Sequence, residues 1–109
     1  MSPADLVRDP GLKPDDLVVH AGGGGLGLLR ELHQVGCRVL AIDPSGAVSD
    51  IDTLRAGFTP AIARLVRERY GAVRLLLAAS DVPLAVASAC LAPGGVVVVT
   101  GAGELKRAA

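Results

Sequence analysis

The residues with chemical potential gather in two short stretches. Between "DLVV" and "LLRELHQVG" runs His20-Ala21-Gly22-Gly23-Gly24-Gly25-Leu26-Gly27, and further on Asp43 and Pro44 open the tetrapeptide "DPSG". Glycine weakens a strand or a helix by roughly 0.5–1 kcal/mol per position relative to alanine, so this density is costly unless main chain must approach something closely. Gly22, Gly24 and Gly27 match G-x-G-x-x-G, a spacing that permits a tight turn, backbone approach to a ligand, and close packing of helix on strand. Asp43 follows Gly22 by 21 residues, where a carboxylate at the end of the next strand can accept both hydroxyls of a ribose. Recognition of a nucleoside is therefore the chemistry on offer, with charge-assisted hydrogen bonds to Asp43 contributing about 1.5–3 kcal/mol each. The competing readings are structural: a merely flexible glycine loop, and an Asp-Pro turn.

Acid–base chemistry has four candidates, His20, His33, Tyr70 and Asp81. His20 stands one position from the end of an apolar run, either as a hydrogen-bonded core histidine or as a group touching a ligand. His33 falls within an amphipathic helix, at the surface or its boundary. Asp81, just before "VP", suits the cap of a following helix. The sequence has no Ser-His-Asp set, no cluster with metal-ligand spacing and no phosphate-gripping G-K-[ST]. Cys37 and Cys90 are isolated, without CxxC spacing, and read as small buried hydrophobes in a reducing compartment.

The elements that must position these groups follow from hydrophobic periodicity. Leu17 to Ala21 is a continuous apolar run with one His, the mark of a strand buried on both faces. From Gly25 to Val35, Leu28, Leu29, Leu32 and Val35 recur at helical spacing against Arg30, Glu31 and Gln34, with Gly36 as the stop. Arg38 to Ile42 is the second strand, and "DIDTL" the third. Thr59-Pro60 is a cap and first-position pair, after which Ala61, Ile62, Leu65 and Val66 form an apolar stripe and Arg64, Arg67 and Glu68 the wet face. Val73 to Ala78 is a fourth strand, Pro83 to Leu91 a helix apolar nearly all round, and Val96 to Thr100 a fifth strand after a "PGG" turn at 93 to 95. Residues 3 to 9 suit a short helical turn before the Pro10-Gly11 breaker. Continuous apolar strands alternating with helices predict a three-layer, Rossmann-like α/β fold with an open parallel sheet in the order 3-2-1-4-5. In such a sheet a ligand lies beyond the carboxyl ends of the strands where the order reverses, at the loops after strands one and four.

Composition bounds the partners. A chain of 109 residues forms one domain, 1–109, and half of it is hydrophobic with only Phe58 and Tyr70 aromatic. The core must be Val, Leu, Ile and Ala, and base stacking is disfavoured. A formal net charge of zero removes the basic footprint of nucleic-acid or membrane-surface binding. No apolar run approaches the roughly 20 residues of a membrane span, and "MSPADLVRDPGLKPDD" lacks the pattern of a signal peptide, so the expectation is a cytoplasmic protein.

Two family resemblances follow. "GLKPDDLVVHAGGGGLG" and "LAPGGVVVVTGAG" resemble the nicotinamide-binding half of the medium-chain dehydrogenases, which implies NAD. Residues 37 to 71, "CRVLAIDPSGAVSDIDTLRAGFTPAIARLVRERYG", resemble the S-adenosylmethionine-dependent methyltransferases of the sugar C-methyltransferase type, in which a "GIDP" strand end leads to "FTP" and an amphipathic helix. "LLRELHQVG" and "LAPGGVVVVTG" are similar to that family too, so the second resemblance spans residues 11 to 101 and is most specific from Asp43 to Pro60. It implies S-adenosylmethionine as cofactor, with Gly22 to Gly25 against its methionine part, Asp43 and the adjoining Pro44 at the ribose, and Ala79 and Ser80 lining the site. The sequence departs from the family where a first-strand acid would fall at His20 or Ala21, and where the loop after strand four is short and lacks a histidine. Such methyltransferases continue past strand five, so substrate-binding elements are expected to be missing.

Three functions stand open: an S-adenosylmethionine-binding, methyltransferase-like domain with or without catalysis, an NAD(P)-binding domain, and a non-catalytic structural or dimerisation protein. The last draws on the apolar helix "PLAVASACL" and on "VVVV" in strand five, which predict an exposed edge and a homodimer or partner protein there unless "GELKRAA" covers it.

Overall fold

The computed structural model describes residues 12–21, 26–43, 51–79, 85–86, 89–101 and 104–107. Strand β1, Leu17–Ala21, is central, and all five of its residues are buried. It pairs in parallel with β2, Arg38–Ile42, from Leu17 opposite Arg38 to Ala21 opposite Ile42. On its other side it pairs in parallel with β4, Val73–Ala79, where His20 lies opposite Leu77 and Ala21 opposite Ala78. The short β3, Asp52–Leu54, extends the sheet beyond β2, and β5, Leu91–Gly101, extends it beyond β4. These five parallel strands take the expected order 3-2-1-4-5, and β6, Glu104–Arg107, adds an antiparallel sixth. Strand β6 pairs with β5 from Val98 to Gly101 and so covers the edge at Val98 and Val99, the alternative that the sequence offered through "GELKRAA".

Side chains alternate across β1 and divide the core into two layers. Leu17, Val19 and Ala21 pack with Leu40, Ile42 and Leu76 beneath helix α2, Pro60–Arg69. Val18 packs with Ala41, Leu75 and Leu77 beneath helix α1, Leu26–Gln34. Each helix is specified locally. Leu29 and Leu32, fully buried, anchor α1, while Arg30 and Glu31 face solvent. The helix ends where Gly36 adopts φ +100°, donating to the His33 carbonyl at 3.1 Å while the Cys37 N–H donates to that of Leu32 at 3.2 Å. This pair of bonds is a Schellman closure, and its left-handed residue favours glycine. Val35 precedes that reversal and is 55% exposed, so it does not extend the buried stripe as its spacing suggested. Thr59 caps α2 by accepting the Ile62 N–H at 3.3 Å, and Pro60 takes the first turn as expected.

The buried face of α2 centres on Ala63 and Val66, with Ile62 packed partly against them. Ala61 is exposed, so the stripe is rotated from the one expected. Arg67 is exposed but does more than face water: its Nη1 donates to the Leu91 carbonyl at 3.1 Å. The region before β5 also differs from expectation. Ala85 and Val86 are helical, but Ala89 and Cys90 form a turn and Leu91 already pairs with Val73, so no helix reaches Leu91. Nor does "PGG" separate two elements. Leu75 pairs with Val96, so residues 92 to 95 bulge within one strand. Arg74 Nη1 holds the bulge by donating to the Gly94 carbonyl at 3.1 Å, and a Cβ on Gly95 would stand 2.9 Å from two backbone oxygens, those of Ala92 and Val73. Residues 3 to 9 lie outside the described residues.

Replacing fully buried Leu76 by alanine is expected to cost about 2–5 kcal/mol in denaturant unfolding, against at most about 0.5 kcal/mol for Val35→Ala. Burial raises the pKa of both thiols, Cys37 further through the Asp16 carboxylate, so little thiolate exists at pH 8. In the folded protein both cysteines should resist iodoacetamide under conditions that alkylate them within minutes in guanidinium.

Candidate functional site

The sheet order reverses between β1 and β4, and this places a crevice beyond the carboxyl ends of those strands. Three described residues mark its floor. Ala21 ends β1 and is fully buried, Asp43 follows β2 half-buried, and Ala79 ends β4 opposite Thr100. The backbone N–H of Asp43 donates to the Leu54 carbonyl at 3.0 Å, which carries the β2–β3 ladder one residue past the end of β2. The same carbonyl accepts the Ala56 N–H at 2.9 Å. Asp43 is thereby held at the sheet's carboxyl edge by its main chain. Ala21 and Ala78 lie side by side at the ends of the two central strands.

Gly27 lies in the first turn of α1, so the glycine run does join a buried strand to a helix. Gly22, Gly23, Gly24, Gly25, Pro44 and Ser80 lie outside the described residues. His20 is 1% exposed and its Nε2 is sealed from solvent. Strand alternation sets it on the same face as Val18, in register with Ala41 and Leu77 beneath α1.

The other acid–base candidates are dispersed. His33 and Tyr70 both line a cleft at the amino ends of β1 to β3, the end of the sheet away from Asp43. Neither can reach a reactant held at the carboxyl ends. Asp81 lies outside the described residues. Among the described residues no group of three or more His, Cys, Asp or Glu could hold a metal ion, and no helix is long and apolar enough to cross a membrane.

Sequence reasoning missed the amino end of the sheet entirely. Arg38 opens β2, and its Nε donates to the Asp15 carbonyl at 2.9 Å while Nη1 donates to the Tyr70 carbonyl at 3.1 Å. Asp15 takes φ +73°, with its N–H donating to the Gly36 carbonyl at 3.0 Å, and the Asp16 carboxylate accepts the Lys13 N–H at 2.8 Å. A signal was available in "KPDD", where two consecutive aspartates after proline suit a turn stabilised by side chain to backbone bonds.

Comparison with known proteins agrees with this architecture. No family model matches the chain, and no curated protein matches it. Among solved structures 17 chains match, including the MycE methyltransferase from the mycinamycin biosynthetic pathway, solved in complex with Mg and SAH. That likeness has a TM-score of 0.65 at 18% identity and covers 92% of this chain but 31% of the other. The chain thus spans about a third of that methyltransferase, and what the two share is the Rossmann-like α/β fold.

Proposed function

We propose that this chain is a methyltransferase-like cofactor domain that binds S-adenosylmethionine, or its demethylated product, in the crevice between the ends of β1, β2 and β4. One observation supports the reading above the others: the half-buried carboxyl residue Asp43 is held by its main chain at the carboxyl edge of β2, directly beside the reversal in strand order. Ala21 and Ala78 at the ends of the central strands suit close approach of a ligand, as the glycine run before α1 does in sequence. The structural neighbour solved with SAH is consistent with the same choice.

The donor set fits an adenosine group. An ionised Asp43 is acceptor-only, with two oxygens, and can take one hydrogen from each ribose hydroxyl. The cofactor itself would supply an electrophilic methyl group on a sulfonium centre. What the described residues contribute is orientation. A buried main-chain frame fixes Asp43, and the apolar floor keeps water from competing for its hydrogen bonds. General acid–base catalysis by His33 or Tyr70 is not part of this reading, because both stand at the other end of the sheet. Methyl transfer to a small acceptor would rely on positioning.

Calorimetric titration with S-adenosylmethionine, S-adenosylhomocysteine and NADH tests the reading. The sulfonium cofactor or its product should bind more tightly than NADH, and Asp43→Ala should weaken binding at least about tenfold, the equivalent of one charge-assisted hydrogen bond. Preference for NADH would replace the proposal with a dinucleotide-binding role, and heat from none of the three would end it. His33→Ala and Tyr70→Phe should leave the affinity within about twofold, since residues this remote act independently.

A further inference from the structure

The cleft at the amino ends of β1, β2 and β3 has a volume of about 530 Å³, within the range of roughly 300–1,000 Å³ typical of small-molecule sites. It has an apolar floor. Leu17, Cys37 and Ile51 are buried there and Val39 is half-buried, with the Tyr70 residue along one wall. The rim is polar and exposed, formed by Asp15, His33, Arg38 and Asp52. An apolar floor inside a charged rim suits a ligand with an apolar body and one charged group.

The sign of that charge follows from how the rim groups are used. Arg38 is the cation of the rim, and its Nε and Nη1 are already committed to the Asp15 and Tyr70 carbonyls. Among the described residues no such backbone bond ties down the carboxylate of Asp15, whose carbonyl and N–H face Arg38 and Gly36. Tyr70 caps the C-terminus of α2 and Gly36 closes that of α1, so two helices turn their partial negative ends toward the same region. Two carboxylates and two helix C-termini therefore outweigh one guanidinium, two of whose five N–H groups already face backbone carbonyls.

We propose that this cleft is a second ligand site, separate from the crevice at Asp43, and that it takes a small organic cation: an amine carried on an apolar or aromatic body. The body lies over Leu17, Val39 and Ile51, and the ammonium group faces Asp15 and Asp52.

Titration of the ¹⁵N-labelled protein with phenethylamine, and with 2-phenylethanol and 3-phenylpropionate as neutral and anionic counterparts, tests this. The amine should give saturable amide shifts at residues 15–17, 36–39 and 51–52, and the alcohol and the acid should bind at least about tenfold more weakly. In the D15N/D52N double variant the amine should lose about tenfold in affinity, as expected for two partly screened charge contacts. Both side chains are exposed, and asparagine tolerates the φ of +73° at position 15 as aspartate does, so the variant's spectrum should stay dispersed. Equal binding of amine and alcohol, shifts located elsewhere, an amine affinity unchanged in the variant, or no shifts at all would each overturn the proposal. Binding of S-adenosylmethionine is read independently of every one of these outcomes.

Discussion

The structure depends on a strand with no free side. β1 is paired on both edges, by β2 and β4, and covered on both faces, so all five of its residues are buried. A strand in that position must satisfy every main-chain N–H and C=O within the sheet, and it must offer apolar side chains to two layers at once. Val18 and Val19, each fully buried, meet opposite demands at consecutive positions. The strand order then follows, because crossovers from a central strand lead outward in two directions and leave a gap in between. Everything assigned to the crevice is a property of that gap.

The two ends of the sheet are built differently. At the carboxyl end Ala21 and Ala78 lie side by side on the two central strands, and Asp43 is fixed by its main chain. At the amino end three arginines, Arg38, Arg67 and Arg74, each donate to backbone carbonyls of other elements or turns, those of Asp15 and Tyr70, of Leu91, and of Gly94. Those bonds join segments far apart in sequence, and they hold the turns that feed the strands. The amino end is thus a set of fasteners, with a cleft left between them on the β3 side.

Most of the architecture could be read from residue pattern because the pattern was strong. Leu17–Ala21 and Arg38–Ile42 are strands at the predicted bounds, and Thr59-Pro60 starts a helix as cap chemistry requires. Failures came where local chemistry was ambiguous. "PGG" is a turn signal, yet β4 supplies pairing partners on both sides of it, so tertiary pairing absorbed it as a bulge. Val35 kept helical spacing, but the helix had already reversed at Gly36. β6 is short and charged, with no apolar run to mark it, and only its pairing with β5 makes it a strand. For the candidate site the sequence placed Asp43 correctly at the end of β2. It could not separate His33 and Tyr70 from the crevice, because which end of the sheet a helix residue reaches depends on the three-dimensional course of the chain.

Among the described residues each layer of the core contains a single sulfur. Cys37 belongs to the layer beneath α1 and Cys90 to the layer beneath α2, with the sheet as a wall between them. Neither is bonded to the other, and the sheet keeps them apart. The protein thus has two built-in chemical clocks, one per compartment. A difference in the rates at which they tick would reveal whether the two halves of the interior loosen together or one before the other.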